Sequence, residues 1–127
     1  MFSDLNVFRM AYAMATHAGQ RQAIVAQNMA NADTPGYRAR DIAPFAGIYR
    51  ADGDTMTATR PGHFGAASDA GTQWQEFHAD TPADPNGNSV SVELEMVNGV
   101  EVKRQHDRAL AIYRSSMNVL RTSLGRV

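Results

Sequence analysis

Along residues 5–32 the apolar positions recur in steps of three and four: Leu5, Phe8, Tyr12 and Ala15, then Ala26 and Met29. No proline and a single glycine, Gly19, fall in that span, so the spacing predicts one long helix with an apolar seam. A second stripe, Val7, Ala11, Met14, Ala18, Val25 and Ala32, runs beside the first and makes the apolar face broad enough to touch more than one neighbour. At about 1.5 Å per residue such a helix is roughly 42 Å long, more than a compact domain of this size wraps. Helical spacing returns over residues 89–126, again without proline, at Leu110, Tyr113, Met117, Leu120 and Leu124. Ser89 or Ser91 suits the N-cap, Glu93 and Glu95 sit in the first turns where the helix dipole is positive, and Arg121 and Arg126 sit in the last. Gly99 blurs the stripe, so a kink or register shift is expected nearby.

Between the two helices the pattern breaks. Residues 35–87 hold all five prolines and the turn dipeptides Pro35-Gly36, Asp52-Gly53, Pro61-Gly62 and Asn86-Gly87, which forbid a long helix there. Short extended pieces fit residues 55–59 and 74–78, with Trp74 and Phe77 placed to pin the loop against a helix. The fold class that follows is mainly α. Long N- and C-terminal helices pair as a coiled-coil-like hairpin around an irregular Pro/Gly-rich middle with room for short β-strands. A single domain divides into 1–34 (helix and turn), 35–88 (irregular, acidic) and 89–127 (helix). A two-helix hairpin covers one side of each stripe, and the surplus on the first helix predicts self-association or partner binding.

Charge adds a polarity. Over residues 52–88 six acids stand against the single Arg60, whereas residues 103–126 carry six bases and one acid, Asp107. The acidic middle and basic C-terminal helix favour contacts between unlike surfaces that weaken with salt. The whole chain has a formal net charge of −1, so no bulk attraction to nucleic acid or anionic lipid follows. With 127 residues there is room for one domain, and with no cysteine there is no thiol catalysis, disulfide or cysteine-type zinc site.

Other chemistry finds little support. His17, His63, His78 and His106 fall at no metal-ligand spacing, so neither a metal nor any other cofactor is expected. An acid–base site drawn from His78, Asp80 and Asp84 reads more easily as a solvated loop beside Pro82 and Pro85. No phosphate-binding glycine loop occurs, and Arg104, Arg108, Arg114 and Tyr113 on a net-acidic chain read as a solvated or partner-facing surface, not a nucleic-acid site. Neither a small-molecule substrate nor enzymatic activity is expected. The sequence has no apolar run long enough to span a bilayer and no basic segment followed by an apolar stretch and a cleavage site, so if the protein leaves the cytosol it is expected to do so without a cleaved signal peptide.

The first helix ends in Asn28-Met29-Ala30-Asn31-Ala32-Asp33-Thr34-Pro35-Gly36-Tyr37. Read physically, Asn28 and Asn31 lie one turn apart and can bond the terminal carbonyls. Pro35 pushes Thr34 out of helical geometry, and Pro35-Gly36 suits a type II turn. The string also resembles the N-terminal signature of the bacterial flagellar rod and hook proteins, a helix ending in Asn-Ile/Leu-Ala-Asn-x-x-Thr-Pro-Gly-Tyr, with Met29 the one difference. The resemblance extends through Arg40-Asp41 with Phe45, Met56-Thr57-Ala58-Thr59, Gly62-His63-Phe64, and Gly87-Asn88-Ser89-Val90 leading into Glu93, Glu95 and Met96, an order similar to that of the proximal-rod members. Ser91, Val92 and His106 depart from the pattern, which has Asp, Leu and an aromatic there.

The resemblance implies a structural, torque-transmitting subunit exported by the flagellar type III apparatus into the periplasm-spanning rod of the basal body. Its partners would be itself, other rod proteins and the ring or rod-adaptor proteins, with termini that pair as a coiled coil in the assembly. The assembly interface read from the seams comprises Leu5, Phe8, Tyr12, Ala15, Val25 and Met29 with Leu110, Tyr113, Met117, Leu120 and Leu124, and the signature turn comprises Asn28, Asn31, Thr34, Pro35, Gly36 and Tyr37. A reading of a different class is a small helical adaptor that holds a target helix in a Met-rich groove.

Overall fold

The computed structural model describes residues 2–48 and 74–125. Helix α1 spans Phe2–Ala30 and helix α3 spans Val92–Ser123; between them lie strand β1 (Arg40–Ile42), the single-turn helix α2 (Phe45–Ile48) and strand β2 (Glu76–His78). The α1 and α3 helices pack antiparallel, as the contacts Phe8–Tyr113, His17–Gln105 and Asn28–Glu95 order them. Ser91 takes the N-cap of α3: its backbone is extended and its hydroxyl accepts the Leu94 N–H at 3.4 Å. Ser89 does different work, since its buried hydroxyl accepts the Ala39 N–H at 2.9 Å. Helix α3 continues as one element through Gly99.

The middle adds a small antiparallel ribbon laid against α1, with Arg40 opposite His78, Asp41 opposite Phe77 and Ile42 opposite Glu76. The extended piece expected at residues 74–78 is present as β2, but its partner β1 and the turn of α2 after Pro44 were not legible as periodicity, being three and four residues long. The strand expected at residues 55–59 lies outside the described residues. Ribbon and helix share a core through Ile42 and Ala39, both almost wholly buried.

The helix–helix core runs along the second stripe of α1, not the first. Ala11, Ala18 and Val25 face Val102 and Ala109 of α3, and the same inward rows carry Asn28 on α1 and Glu95 on α3, all buried. On α3 the buried positions 95, 102 and 109 repeat at seven, with half-buried Asn98 and Gln105 between them and half-buried Ile112 following. The hairpin interface is therefore made of small and polar side chains. Larger ones, Tyr12, Met29, Met96, Leu110, Tyr113 and Leu124, stay exposed.

Candidate functional site

Three features make up the candidate site, beginning at the turn end of the hairpin and ending with a stripe along both helices. The first is a polar knot around Asn28, which is 1% exposed. Its amide nitrogen donates to the Arg40 carbonyl at 2.8 Å and to Glu95 Oε1 at 3.1 Å, while its oxygen accepts the Arg40 N–H and the Tyr37 hydroxyl, each at 3.1 Å. The reading of Asn28 as a cap of terminal carbonyls is thus corrected: it faces inward and ties α1 to the ribbon and to α3. Asn31 does bond a terminal carbonyl, that of Gln27 at 2.8 Å. The rest of the cap comes from across the chain, because the Asn88 amide donates to the carbonyls of Asn31, Ala32 and Thr34 at 2.8–2.9 Å. Asn88 closes its own loop by accepting the Val90 N–H at 2.8 Å.

The turn itself is as the dipeptides require. Tyr37 N–H reaches the Thr34 carbonyl at 3.3 Å and Gly36 has φ +74°. Gly87, at φ +84°, lies directly against it: a β-carbon there would stand 3.3 Å from Gly36 Cα. Gly36 donates to the Asn86 carbonyl at 3.0 Å, so Pro35-Gly36 and Asn86-Gly87 form one double turn. Gly36→Ala meets no atom within 4 Å but keeps the left-handed backbone, so it is expected to lower stability by about 1–2 kcal/mol. Gly19→Ala, in open space on α1, is expected to raise it by about 0.5–1 kcal/mol. Urea unfolding of the two variants reads the opposite signs.

The second feature fastens the middle segment to the hairpin. His17 is completely buried; its Nε2 lies 2.8 Å from the Ala43 carbonyl and its Nδ1 2.8 Å from Gln105 Nε2. The Ala43 carbonyl needs a donor and the Gln105 amide an acceptor, which fixes the neutral Nε2–H tautomer. Phe45 and Trp74 meet the imidazole edge-on, at 5.6 and 4.9 Å between ring centroids. Gln20 holds the Trp74 backbone from both sides, donating to its carbonyl at 2.8 Å and accepting its N–H at 3.3 Å. Trp74 pins the loop as the sequence predicts, whereas Phe77 is about half exposed. Arg21, nearly buried, grips Asp41 with two hydrogen bonds of 3.0 and 3.2 Å and reaches Glu101 at 3.7 Å. Among the described residues Glu76, the one acid of residues 52–88 in an ion pair, meets Arg40 of β1 at 3.5 Å and not the basic face of α3.

Burial pushes the His17 pKa down, aided by Arg21 and opposed by the Ala43 bond and Asp41. Burial likewise pushes the Glu95 pKa up, against the Asn28 bond, and Glu95 Oε2 has no hydrogen-bond partner. The two groups act on stability with opposite sign. The contribution of His17 is complete above its unfolded pKa of 6.5 and is lost as pH falls from there through the lower folded value. That of Glu95 is complete below its unfolded pKa of 4.5 and is lost as pH rises through the higher folded value. Glu95→Gln is therefore expected to raise the thermal midpoint at pH 7.5. In that background the midpoint falls between about pH 7 and 5, and His17→Gln removes the fall.

The third feature is the outer stripe. On α3, positions 96, 99, 103, 106, 110, 113, 117, 120 and 124 repeat in steps of three and four, and on α1 Phe8, Tyr12, Ala15, Gly19, Gln22 and Met29 follow the same spacing. The two stripes flank a groove of about 680 Å³ near the turn end, with Met29 and Met96 on its walls and the side-chain-free Gly19 and Gly99 in its lining. A second groove of about 470 Å³ at the free end is lined by Phe8, Arg9, Tyr12, Tyr113, Met117 and Leu120. Phe8 meets Tyr113 edge-on at 5.4 Å. Tyr12, Met29, Leu110, Tyr113 and Leu124 are exposed and Ala15, Met117 and Leu120 half-buried. Val25 instead belongs to the hairpin core, and the Leu5 side chain lies outside the described residues.

Sequence periodicity found the outer stripe but missed His17, Asn88 and the inward role of Glu95. The available signal was positional, since Asn28 and Glu95 occupy core rows where an apolar residue is the default. Among the described residues no helix is long and apolar enough to cross a membrane, and no group of three metal-ligating side chains is present.

Comparison with known proteins bears on this geometry. Residues 13–38, the second half of α1 with the turn, match the family model described as flagella basal body rod protein. The chain is 30% identical over 116 residues to the flagellar basal body rod protein FlgB of Agrobacterium fabrum, covering 87% of each chain. It is 32% identical over 107 residues to FlgB of Cereibacter sphaeroides, covering 82% of each. Against FlgB of Aeromonas hydrophila it is 29% identical over 116 residues, 89% of this chain and 87% of the relative.

Proposed function

The chain belongs to the flagellar basal body rod protein family, and on that premise we propose that it is a structural subunit of the rod, joined to like and related rod proteins through the outer stripes of α1 and α3. One observation carries the reading: apart from Ile24 the helices bury small and polar side chains, alanine, valine, histidine, asparagine and glutamate, while Tyr12, Met29, Met96, Leu110, Tyr113 and Leu124 stand in water. Burying a large aliphatic or aromatic side chain contributes roughly 1.5–3 kcal/mol, so the stripe left outside holds apolar free energy that the hairpin itself does not use. A partner helix seated along each groove recovers it.

Signature-turn residues Asn28, Asn31, Thr34, Pro35, Gly36 and Tyr37 then serve assembly indirectly, by fixing where α1 stops and holding both stripes in register. The polar knot, the double turn and the Arg21–Asp41 pair brace that end against shear, a property a torque-transmitting subunit needs. The remaining expectations, contact with ring or rod-adaptor proteins and delivery by the type III export apparatus, extend the same reading. An adaptor would use the same grooves for an unrelated helix, and family membership favours rod proteins as the occupants. The test is the composition of purified basal bodies: the chain is expected in the rod fraction, and a deletion strain is expected to lack rods and motility. A deletion strain that swims normally overturns the reading.

A further inference from the structure

Helix α1 gives one row of side chains to the middle segment. His17, Arg21, Ile24 and Asn28 follow one another in steps of four, three and four, and all are buried or nearly so. Three of them hold the segment at separate stations: Asn28 bonds Arg40 at the start of β1, Arg21 grips Asp41, and His17 meets the Ala43 carbonyl at 2.8 Å just before α2. The last station also carries Trp74, whose ring meets the imidazole and whose backbone Gln20 holds. Its chemistry differs from the other two, because an imidazole is the side chain that ordinarily changes charge between about pH 5 and 8.

Both ring nitrogens of His17 are already committed. Nε2–H donates to the Ala43 carbonyl, and Nδ1 accepts from the Gln105 amide of α3 at 2.8 Å. A second proton has to sit on Nδ1, where it meets the Gln105 N–H donor to donor. Turning that amide over does not help: its nitrogen also donates to the Met14 carbonyl at 3.3 Å, and the oxygen put in its place would face another oxygen. Nor do the surrounding charges absorb the cation. Arg21 on the same helix opposes it; Asp41 of β1 favours it but is gripped by Arg21, which also draws Glu101 of α3 to 3.7 Å. Helix α2 has no charged residue, and on β2 Glu76 pairs with Arg40 while His78 stands exposed opposite Arg40. We propose that His17 is a proton-operated latch: while neutral it seats α2 and Trp74 on the hairpin, and on taking a proton it lets them go while α1 and α3 stay paired. The hairpin has its own core in Ala11, Ala18, Val25, Val102 and Ala109, and Glu95 at its turn end gains from the same fall in pH by which the latch loses. With the released imidazole at its ordinary 6.5, a fall from pH 7.5 to 5 favours release by up to about thirtyfold, enough to turn a segment closed about ten to one into one mostly open.

Trp74 is the only tryptophan of the chain and sits in the latch, so its fluorescence reads the latch directly, whatever the outer stripes bind. In the full chain, acrylamide quenching of Trp74 is expected to rise about twofold and its emission to shift to the red between pH 7.5 and 5, while the far-ultraviolet circular dichroism of the helices keeps its value. His17→Gln, uncharged at every pH, is expected to give a Trp74 signal that does not move with pH. His78→Gln is expected to titrate as the unmodified chain does, which sets aside the exposed histidine of β2. Emission that dims without a red shift or a gain in acrylamide access means that the imidazolium forms beside a seated ring, and this overturns the proposal. So does an unmodified chain with no pH response, a helical signal lost together with that of Trp74, or a response that survives His17→Gln.

Discussion

Asn28→Ala is expected to lower the thermal midpoint of the chain by about 10–20 °C, the largest loss of stability from any single polar truncation in this fold. Four hydrogen bonds end on that side chain, and none of its partners has a substitute. The Arg40 N–H and carbonyl lose their partners together, and Glu95 Oε1 joins Oε2 as an unpaired buried oxygen. Leaving a buried polar group unsatisfied costs about 1–3 kcal/mol, more for a charged one, so a total of about 3–5 kcal/mol follows. Most of the Glu95 share is recoverable. Adding Glu95→Leu to Asn28→Ala is expected to restore a third or so of the loss, because an apolar side chain at that inward position needs no donor. Asn28→Asp, which keeps the shape but sets a second carboxylate against Glu95, is expected to be at least as damaging as Asn28→Ala. Thermal unfolding at pH 7.5 followed by circular dichroism reads all three; a midpoint unchanged by Asn28→Ala would remove the knot from any structural role.

The same residues explain what the sequence made legible. Both long helices, the extended piece ending at His78, the Ser91 cap and the left-handed Gly36 follow from local rules: proline exclusion, three-four spacing, hydroxyl caps and turn dipeptides. Which stripe faces inward was not legible, because hydrophobic spacing weights size and this hairpin buries its small and polar rows. Asn88 was missed as the cap of α1 because it lies more than fifty residues from the carbonyls it bonds, a distance local capping rules do not span. His17 was read as a histidine without metal-ligand spacing; its role, holding Ala43, Phe45 and Trp74 to the hairpin, depends on segments brought together only by the fold. The outer stripe is a different case: its residues were found, but only the structure distinguishes a seam that is buried from one left waiting. The seam was read as an assembly interface from its surplus apolar positions, and the structure leaves Tyr12, Met29, Leu110, Tyr113 and Leu124 of it exposed while taking Val25 into the hairpin core.

Tyr12→Asp is accordingly expected to abolish incorporation into the rod while leaving the isolated chain folded. Tyr12 is 65% exposed, so the hairpin loses little when its ring is removed, and the thermal midpoint is expected to move by no more than about 3 °C. In an assembled seam the consequence is far larger. An aspartate desolvated there without a partner costs about 3–5 kcal/mol, more than a hundredfold in each association step, and a polymer meets that cost at every copy. Tyr12→Phe, which keeps the ring and removes only the hydroxyl, is expected to assemble normally. The core substitution Ala109→Asp supplies the contrast, since it places a charge where the helices meet and is expected to lose both folding and assembly. Motility, rod content of purified basal bodies and thermal unfolding of the three variants together separate a seam used between subunits from one used within them. If Tyr12→Asp cells swim and their basal bodies carry the variant at the unmodified level, the outer stripe is not the assembly surface, whatever its periodicity.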